Sequence, residues 1–526
     1  MSDHRIFPLA IGFASIAAGS IACEHNADRF GQSWLYDAPQ STDSSLTYID
    51  HTHHEVLFAT PDADRLTLTR RSLGSADEEA TLWSRVTRNG ASLLVLTGPV
   101  NAKKEHVSEK LYRFSADGTS DPVVTELSAP FNSVALSPDY QHAVLYFSGA
   151  VPGEVLHNSN LVAIVDLTSA TVAHEMTLQG FGGQLTSVHF PGQVADGVPN
   201  PVLVGDHQRD IVAFLAEGEI ILADMASPGA NQPAVSLADT SGVNPVATLL
   251  RPGNAMYPAP TLFVRFKGGS DVSMLSLRAK DDAEDAFTFT QSLLGVGRGT
   301  SDFVFYDDAE TPMLVAANGR ENGLIFTDIR TQQTFTIGLG SGVGSLFLRK
   351  NESASGSVDQ AVVWSQGGTT VYTLDLDDIE NVVGRLPTEY RVNGGIRDLV
   401  VLDNNRVLVG APDRLVIIDF ARDQITPFAI QSDYSSFESG LYDDRLILGS
   451  PGQSWISTVN LNTLAPESML LDDNVDSFHF LPASGMVVAT HNDDAGKLTV
   501  TPAGELSRTK SYVHWGFLLE GLLDRS

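Results

Sequence analysis

Apolar residues along this chain come in short runs of about 4–7, cut off by Gly, Pro, Asp and Asn, which is the pattern of strands joined by tight turns. The stretch SVALSPDYQHAVLYFSG (133–149) reads as strand, Asp-containing turn, strand. The plan returns in HEVLFATPDADRLTLTR (54–70), NLVAIVDLTSATVAHEMTL (160–178), GLIFTDIRTQQTFTI (323–337) and RVLVGAPDRLVIIDFARDQITPFAI (406–430). Val, Ile, Leu, Phe and Thr fill the runs, as strand propensity favours. Helical spacing is nearly absent before residue 511.

The runs also repeat as groups. Aliphatic segments suited to the second strand of a group start at Val56, Leu93, Ala143, Pro201, Thr261, Met313, Ala361, Val407, Leu446 and Met486. They recur roughly every 40–60 residues, close to the length of a four-stranded propeller blade. The pattern predicts an all-β fold, a β-propeller over 46–510. A single ring of about eight blades, within a range of 7–10, fits the usual ring size. That count treats some runs as outer strands or insertions, notably in 198–225, which holds one strand too many. Two smaller rings are the alternative. The first unit lacks an obvious fourth strand, so strands near the carboxy terminus are expected to complete it and remove an open edge.

The blade sequences resemble a known family. TPDADRLTLTR (60–70) and NLVAIVDLTSATVAHEMTL (160–178) look like YVTN-type propeller repeats, in which an Asn/Asp-rich turn precedes a short strand ending in Ile-Asp. VALSPDY (134–140) resembles the Ser-Pro-Asp turn of TolB-like and WD40-like blades, with Tyr140 where glycine is usual. The Trp-Asp dipeptide is missing. The likeness runs from about 45 to 508 and is clear in a few blades; it implies the fold and is silent on activity.

The amino terminus has a different grammar. IFPLAIGFASIAAGSIAC (6–23) is uncharged, apolar and ends in small residues, the layout of an export signal. Its end resembles the lipobox of bacterial lipoproteins, with Ser20 where leucine is usual. The resemblance implies that 1–22 is a signal peptide, that Cys23 is lipidated, and that 23–45 is a polar tether. It places the protein in the bacterial cell envelope as an outer-membrane lipoprotein facing the periplasm or the cell surface. An uncut membrane anchor, or a buried thiol, would also fit the run.

Cys23 is the only cysteine, so the rest of the chain can form no disulfide, and stability must come from a core that 42% hydrophobic residues can build. The formal charge of −31 argues against nucleic acid and against electrostatic docking on an anionic membrane.

Candidate chemistry is sparse. In DHTHHE (50–55), His51 and His53 are spaced to share one face of a strand and are low-order metal candidates, though an exposed turn explains them better. DLDDIE (375–380) and HNDDAG (491–496) lack the Asp-x-Asp-x-Asp-Gly alternation of a calcium loop. GLGSGVGS (338–345) and GVGRG (295–299) open no helix that faces a phosphate and read as blade-to-blade turns. No G-x-S-x-G elbow occurs, and the five tryptophans share no blade position. These motifs imply no cofactor.

In SYVHWGFLLEGLLDRS (511–526), Trp515, Leu518, Leu519, Leu522 and Leu523 follow helical spacing, which predicts a short amphipathic helix. It packs on the ring or docks a partner through Trp515, Leu519 and Leu522. Two functions follow from these features: a binding or scaffold protein for a protein or glycan partner at the envelope, or a lactonase-like or quinoprotein-like enzyme using the central channel.

Overall fold

The computed structural model describes residues 35–520 apart from internal stretches, of which 100–108, 149–157 and 430–437 are the longest. Among the described residues there are strands and turns and no helix, and so no helix long and apolar enough to cross a membrane. Residues 1–34, with Cys23 and the expected signal, lie outside the described residues, as does Leu522.

Ten antiparallel four-stranded sheets follow one another along the chain. We number them as blades 1–10: 40–72, 79–127, 133–177, 185–236, 245–295, 300–338, 345–391, 398–429, 438–470 and 475–515. First strands of successive blades meet at blades 1 and 2, 3 and 4, 5 and 6, 6 and 7, 9 and 10, and 10 and 1, so the first strand of each blade is innermost and the fourth outermost. We call the strands A to D in that order.

The second strands explain the apolar runs. Leu93, Leu94, Val95 and Leu96 in strand B of blade 2 (Ser92–Pro99) are all fully buried. Side chains alternate between faces. Leu93 and Val95 join the cluster shared with Phe58 of blade 1, while Leu94 and Leu96 join the one with Phe131 and Leu145 toward blade 3. A strand sandwiched between two neighbours needs apolar side chains on both faces, so it loses the polar alternation of a half-exposed strand. Each such side chain contributes about 1.5–3 kcal/mol by burial.

The same arrangement holds at every junction, giving ten apolar clusters that each bridge two successive blades. The tenth cluster joins Leu46 and Tyr48 of blade 1 to Met486, Leu498, Phe517 and Leu518 at blade 10. The molecule is therefore one closed ring of ten blades, not the expected eight.

The expected count falls short because it takes some of the ten runs for outer strands or insertions. Eight of the ten runs are B strands; the run at Val56 is instead strand C of blade 1 (Glu55–Pro61). The run ending at Val204 belongs to an inserted hairpin (Val202–Val204, His207–Arg209), and strand B of blade 4 is the next one, Ile211–Ala216. The surplus strand in 198–225 was an insertion, but its blade was still there to count.

Closure also differs from expectation. Blade 1 has its own four strands, beginning with the two-residue Gln40–Ser41, and blade 10 is complete as well. Side chains and single hydrogen bonds make the join. The Tyr36 hydroxyl donates to Leu518 O at 2.9 Å, the Arg70 guanidinium to the same oxygen at 2.7 Å, and the Tyr512 hydroxyl to Arg65 O at 2.6 Å. The Tyr48 and Phe517 rings lie 5.5 Å apart.

The expected terminal helix is a strand: Tyr512–Trp515 is strand D of blade 10 and pairs with strand C, Trp515 opposite Lys497. Strand C would otherwise be left as an open edge. Gly516, at φ +80°, ends the strand and turns Phe517 and Leu518 into the closure cluster. Strand followed by turn puts apolar residues at the same spacing as a helix would.

Candidate functional site

The acidic turns are mostly structural. Asp166, Asp328 and Asp419 end strand C in blades 3, 6 and 8, and each accepts a backbone N–H two or three residues on, from Thr168 (2.7 Å), Arg330 (2.8 Å) and Arg422 (3.0 Å). The Thr168 hydroxyl and N–H hold the Asp166 carboxyl below the usual carboxylate range. These are Asx turns. In blade 3 the Ser-Pro-Asp turn works likewise: Ser137 Oγ donates to Asp139, and Tyr140 sits at φ 58°, where glycine would be free of strain.

His51 and His53 lie in the turn between strands B and C of blade 1, half-buried, and are tied to separate carboxylates. His51 Nε2 is 2.8 Å from Asp37, and His53 Nδ1 is 2.9 Å from the fully buried Asp50. Asp50 also caps the turn through the Thr52 and His53 N–H groups and faces Arg70 at 3.4 Å. Among the described residues no three metal-ligating side chains gather at one point.

On the inner strands, the Ser477 hydroxyl lies 2.8 Å from His479 Nε2 and 2.6 Å from Thr490 Oγ1. Burial pushes the His479 imidazole down to about 4, which makes it a weak acceptor for a serine proton at neutral pH. His189, also lowered by burial, hydrogen-bonds Ser187 and Thr248 at 3.1 and 3.2 Å. The pairs knit the inner wall to itself.

Between blades 9 and 10 opens a cleft of about 780 Å³, lined by Asp472, Asp473, His491, Asp493, Lys497 and Trp515 among others. It lies within the size range of small-ligand clefts, about 300–1,000 Å³. A second cleft of about 270 Å³, bounded by Leu470, Arg508 and Val513, adjoins it and shares Leu470, Leu471 and Asp472. Trp515 is 67% exposed, a large apolar ring left in water. Trp83, Trp364 and Trp455, on strand A of blade 2, strand B of blade 7 and strand C of blade 9, are buried or half-buried.

The cleft walls are fixed. Trp515 donates its indole N–H to Asp493 at 2.9 Å, and the other Asp493 oxygen accepts the Ala495 N–H at 2.9 Å. Gly496, at φ +83°, lets the turn pass over the closure cluster; a Cβ there would lie 2.6 Å from Leu518 and 2.7 Å from Phe517. His491 is buried at the floor and donates Nδ1–H to Asn474 O at 2.9 Å, so its Nε2 accepts the Thr499 hydroxyl at 2.8 Å. Lys497 pairs with Asp473 and holds that carboxyl below the usual range. Arg508 pairs with Asp472 at 3.3 Å and donates to Leu470 O at 2.9 Å.

Of the partner-contact residues expected from the sequence, Trp515 lines this cleft, Leu519 is half-buried beyond it, and Leu522 is outside the described residues. The other lining residues come from two blades, brought together by ring packing, and no local motif marks them except the acidic turn 491–496.

No protein family and no curated protein matches this chain. Among solved structures it is similar to a dihydro-heme d1 dehydrogenase NirN in complex with DHE, at 14% identity over 69% of this chain and 71% of that one, TM-score 0.42. It is similar to the Dos1 propeller at 11% identity, 68% and 89% coverage, TM-score 0.39, and to apo AztD from Citrobacter koseri at 11% identity, 69% and 92% coverage, TM-score 0.31. The β-propeller assignment rests on the ten sheets and their closed packing.

Proposed function

We propose that this chain is a binding protein of the bacterial cell envelope, anchored in the outer membrane by lipid on Cys23, that holds a protein or glycan partner in the cleft between blades 9 and 10. The observation that carries the binding reading is Trp515: an exposed indole oriented by Asp493, at the mouth of a cleft whose polar groups are already in place. Trp515 does not stand alone: Leu470 and Val513 are exposed along the same two clefts, and an apolar patch at a formed cleft is where ligands bind. The lipid anchor is supported by the apolar run ending in Gly19, Ser20, Ala22 and Cys23, and by the absence of any other thiol. From Cys23 to Leu35 an extended chain reaches at most about 40 Å, so the ring would stay close to the membrane that holds it.

The test separates anchor from site. Wild type labelled with an alkyne fatty acid should carry label and sediment with membranes, and Cys23→Ser should lose the label and leave them. Trp515→Ala should stay in the membrane fraction and lose the envelope component that crosslinks to wild type. Equal crosslinking by Trp515→Ala and wild type would remove the cleft from the proposal.

A further inference from the structure

We infer that the occupant of the cleft between blades 9 and 10 is an uncharged oligosaccharide whose pyranose rings stack on Trp515. The inference rests on the cleft being the binding site, and it follows from how the charges there are already used.

An exposed indole face carries negative quadrupole charge and attracts either a cation or the weakly positive C–H groups along one side of a sugar ring. Three carboxylates line the cleft, which at first favours a cation. Each is already engaged: Asp472 by Arg508 at 3.3 Å, Asp473 by Lys497, and Asp493 by the Trp515 and Ala495 N–H groups at 2.9 Å. An entering ammonium or guanidinium would meet Lys497 and Arg508, and the one acid there without a paired cation, Asp493, already accepts an N–H on each oxygen. An entering phosphate or uronate would have to displace Asp472 or Asp473 from those same cations.

A neutral polyol has neither problem. Asp472 and Asp473 are 70% and 53% exposed at the side chain, so oxygens not bonded to their cations remain open to sugar hydroxyls. A carboxylate that already shares a cation still has lone pairs to accept with, and such charge-assisted bonds are the stronger kind.

The shape agrees. Leu470 and Val513, 61% and 47% exposed, extend an apolar strip from the Trp515 cleft into the adjoining one. Alternating apolar and hydroxyl-rich surface is what a chain of pyranose rings presents, and the two connected clefts have room for more than one ring. A basic peptide, the competing occupant, would want unpaired acids along that strip and finds Arg508 there.

The experiment is an array of neutral oligosaccharides of varied linkage, with acidic oligosaccharides and lysine-rich peptides alongside, probed with the labelled ring from residue 24 onward. Hits are followed by calorimetric titration of wild type, Trp515→Ala and Trp515→Phe. We expect neutral hits of at least two rings, weakened tenfold or more in Trp515→Ala and partly kept in Trp515→Phe, with affinity little changed by a tenfold rise in salt, since no net charge is screened. Melting temperatures of the variants should match wild type. Saturable, Trp515-dependent and salt-sensitive binding of the peptides instead would overturn the glycan inference while keeping the cleft as a binding site. Neutral binding undiminished in Trp515→Ala would place the sugar elsewhere and overturn it too. Silence of every probe would overturn the glycan inference, while the cleft itself would stand or fall on the Trp515-dependent crosslink.

Discussion

Trp515 and Phe517 are two residues apart, and their replacement by alanine should have opposite outcomes. Phe517 is 1% exposed, packed on Tyr48, Met486 and Leu498 at the one junction where blades without a direct chain connection meet. A buried phenylalanine hides about 150–250 Å². At about 25 cal/mol per Å² that is on the order of 4–6 kcal/mol for the whole side chain, and Phe→Ala in a core costs about 3–5 kcal/mol. Trp515 is largely in water and loses one exposed hydrogen bond, so its removal should cost about 0.5 kcal/mol or less. The assay is urea unfolding followed by circular dichroism, with hydrogen exchange read strand by strand. Phe517→Ala should lower the midpoint clearly, and faster exchange should appear in strands B of both blade 1 (Leu46–Asp50) and blade 10 (Met486–His491), because each loses its second neighbour. If Phe517→Ala unfolds with Trp515→Ala, or exchange quickens in blade 10 alone, the ring is not closed through this cluster.

Other outcomes test the remaining steps. Burial lowers His479 to about 4 against about 6.5 in an unfolded chain, so the unfolded state takes the proton first as pH falls: the stability tied to the neutral imidazole is complete above about 6.5 and shrinks by at most about 3 kcal/mol toward pH 4. His479→Leu should therefore lose less stability than wild type between about pH 7 and pH 5 in parallel urea titrations; parallel losses would refute the assignment. Gly496→Ala drives a Cβ into Phe517 and Leu518, so it should lower the melting temperature by several degrees and weaken ligand binding at Trp515 together. Tyr140→Asn, which keeps the left-handed φ with a residue that tolerates it, should leave stability within about 1 kcal/mol of wild type by the same denaturation assay.

The fold was legible where burial on two faces writes an unbroken apolar run, as at Leu93 to Leu96, Ala361 to Val363 and Val487 to Ala489. The blade number was less so. A first strand of two residues, Gln40–Ser41, carries no periodicity, and the inserted hairpin at Val202 offers a run indistinguishable from a core strand. The terminal strand was misread because Trp515, Leu518 and Leu519 stand three and four apart whether the chain is helical or turns at Gly516. Of the cleft, Trp515 was visible in the sequence for a reason the fold does not keep. Asp472, His491 and Lys497 were invisible as a group because Asp472 lies in the link from blade 9 to blade 10, while the other two flank the later B–C turn of blade 10, and only the folded blade sets the distance between link and turn.

The closure has a consequence for connectivity. No strand is shared between the first and last blades, and the chain enters and leaves the ring within a hydrogen bond of itself, Tyr36 to Leu518. The connection between blades 10 and 1 is then no different in kind from a loop between any two blades. A short Gly/Ser link across that gap, with new ends opened between blades 5 and 6 near Arg298, should yield a circular permutant with the same ten junctions and the same cleft. Rings that lock by splitting one blade between both ends fix where their termini must lie; this one leaves them free to move around its circumference.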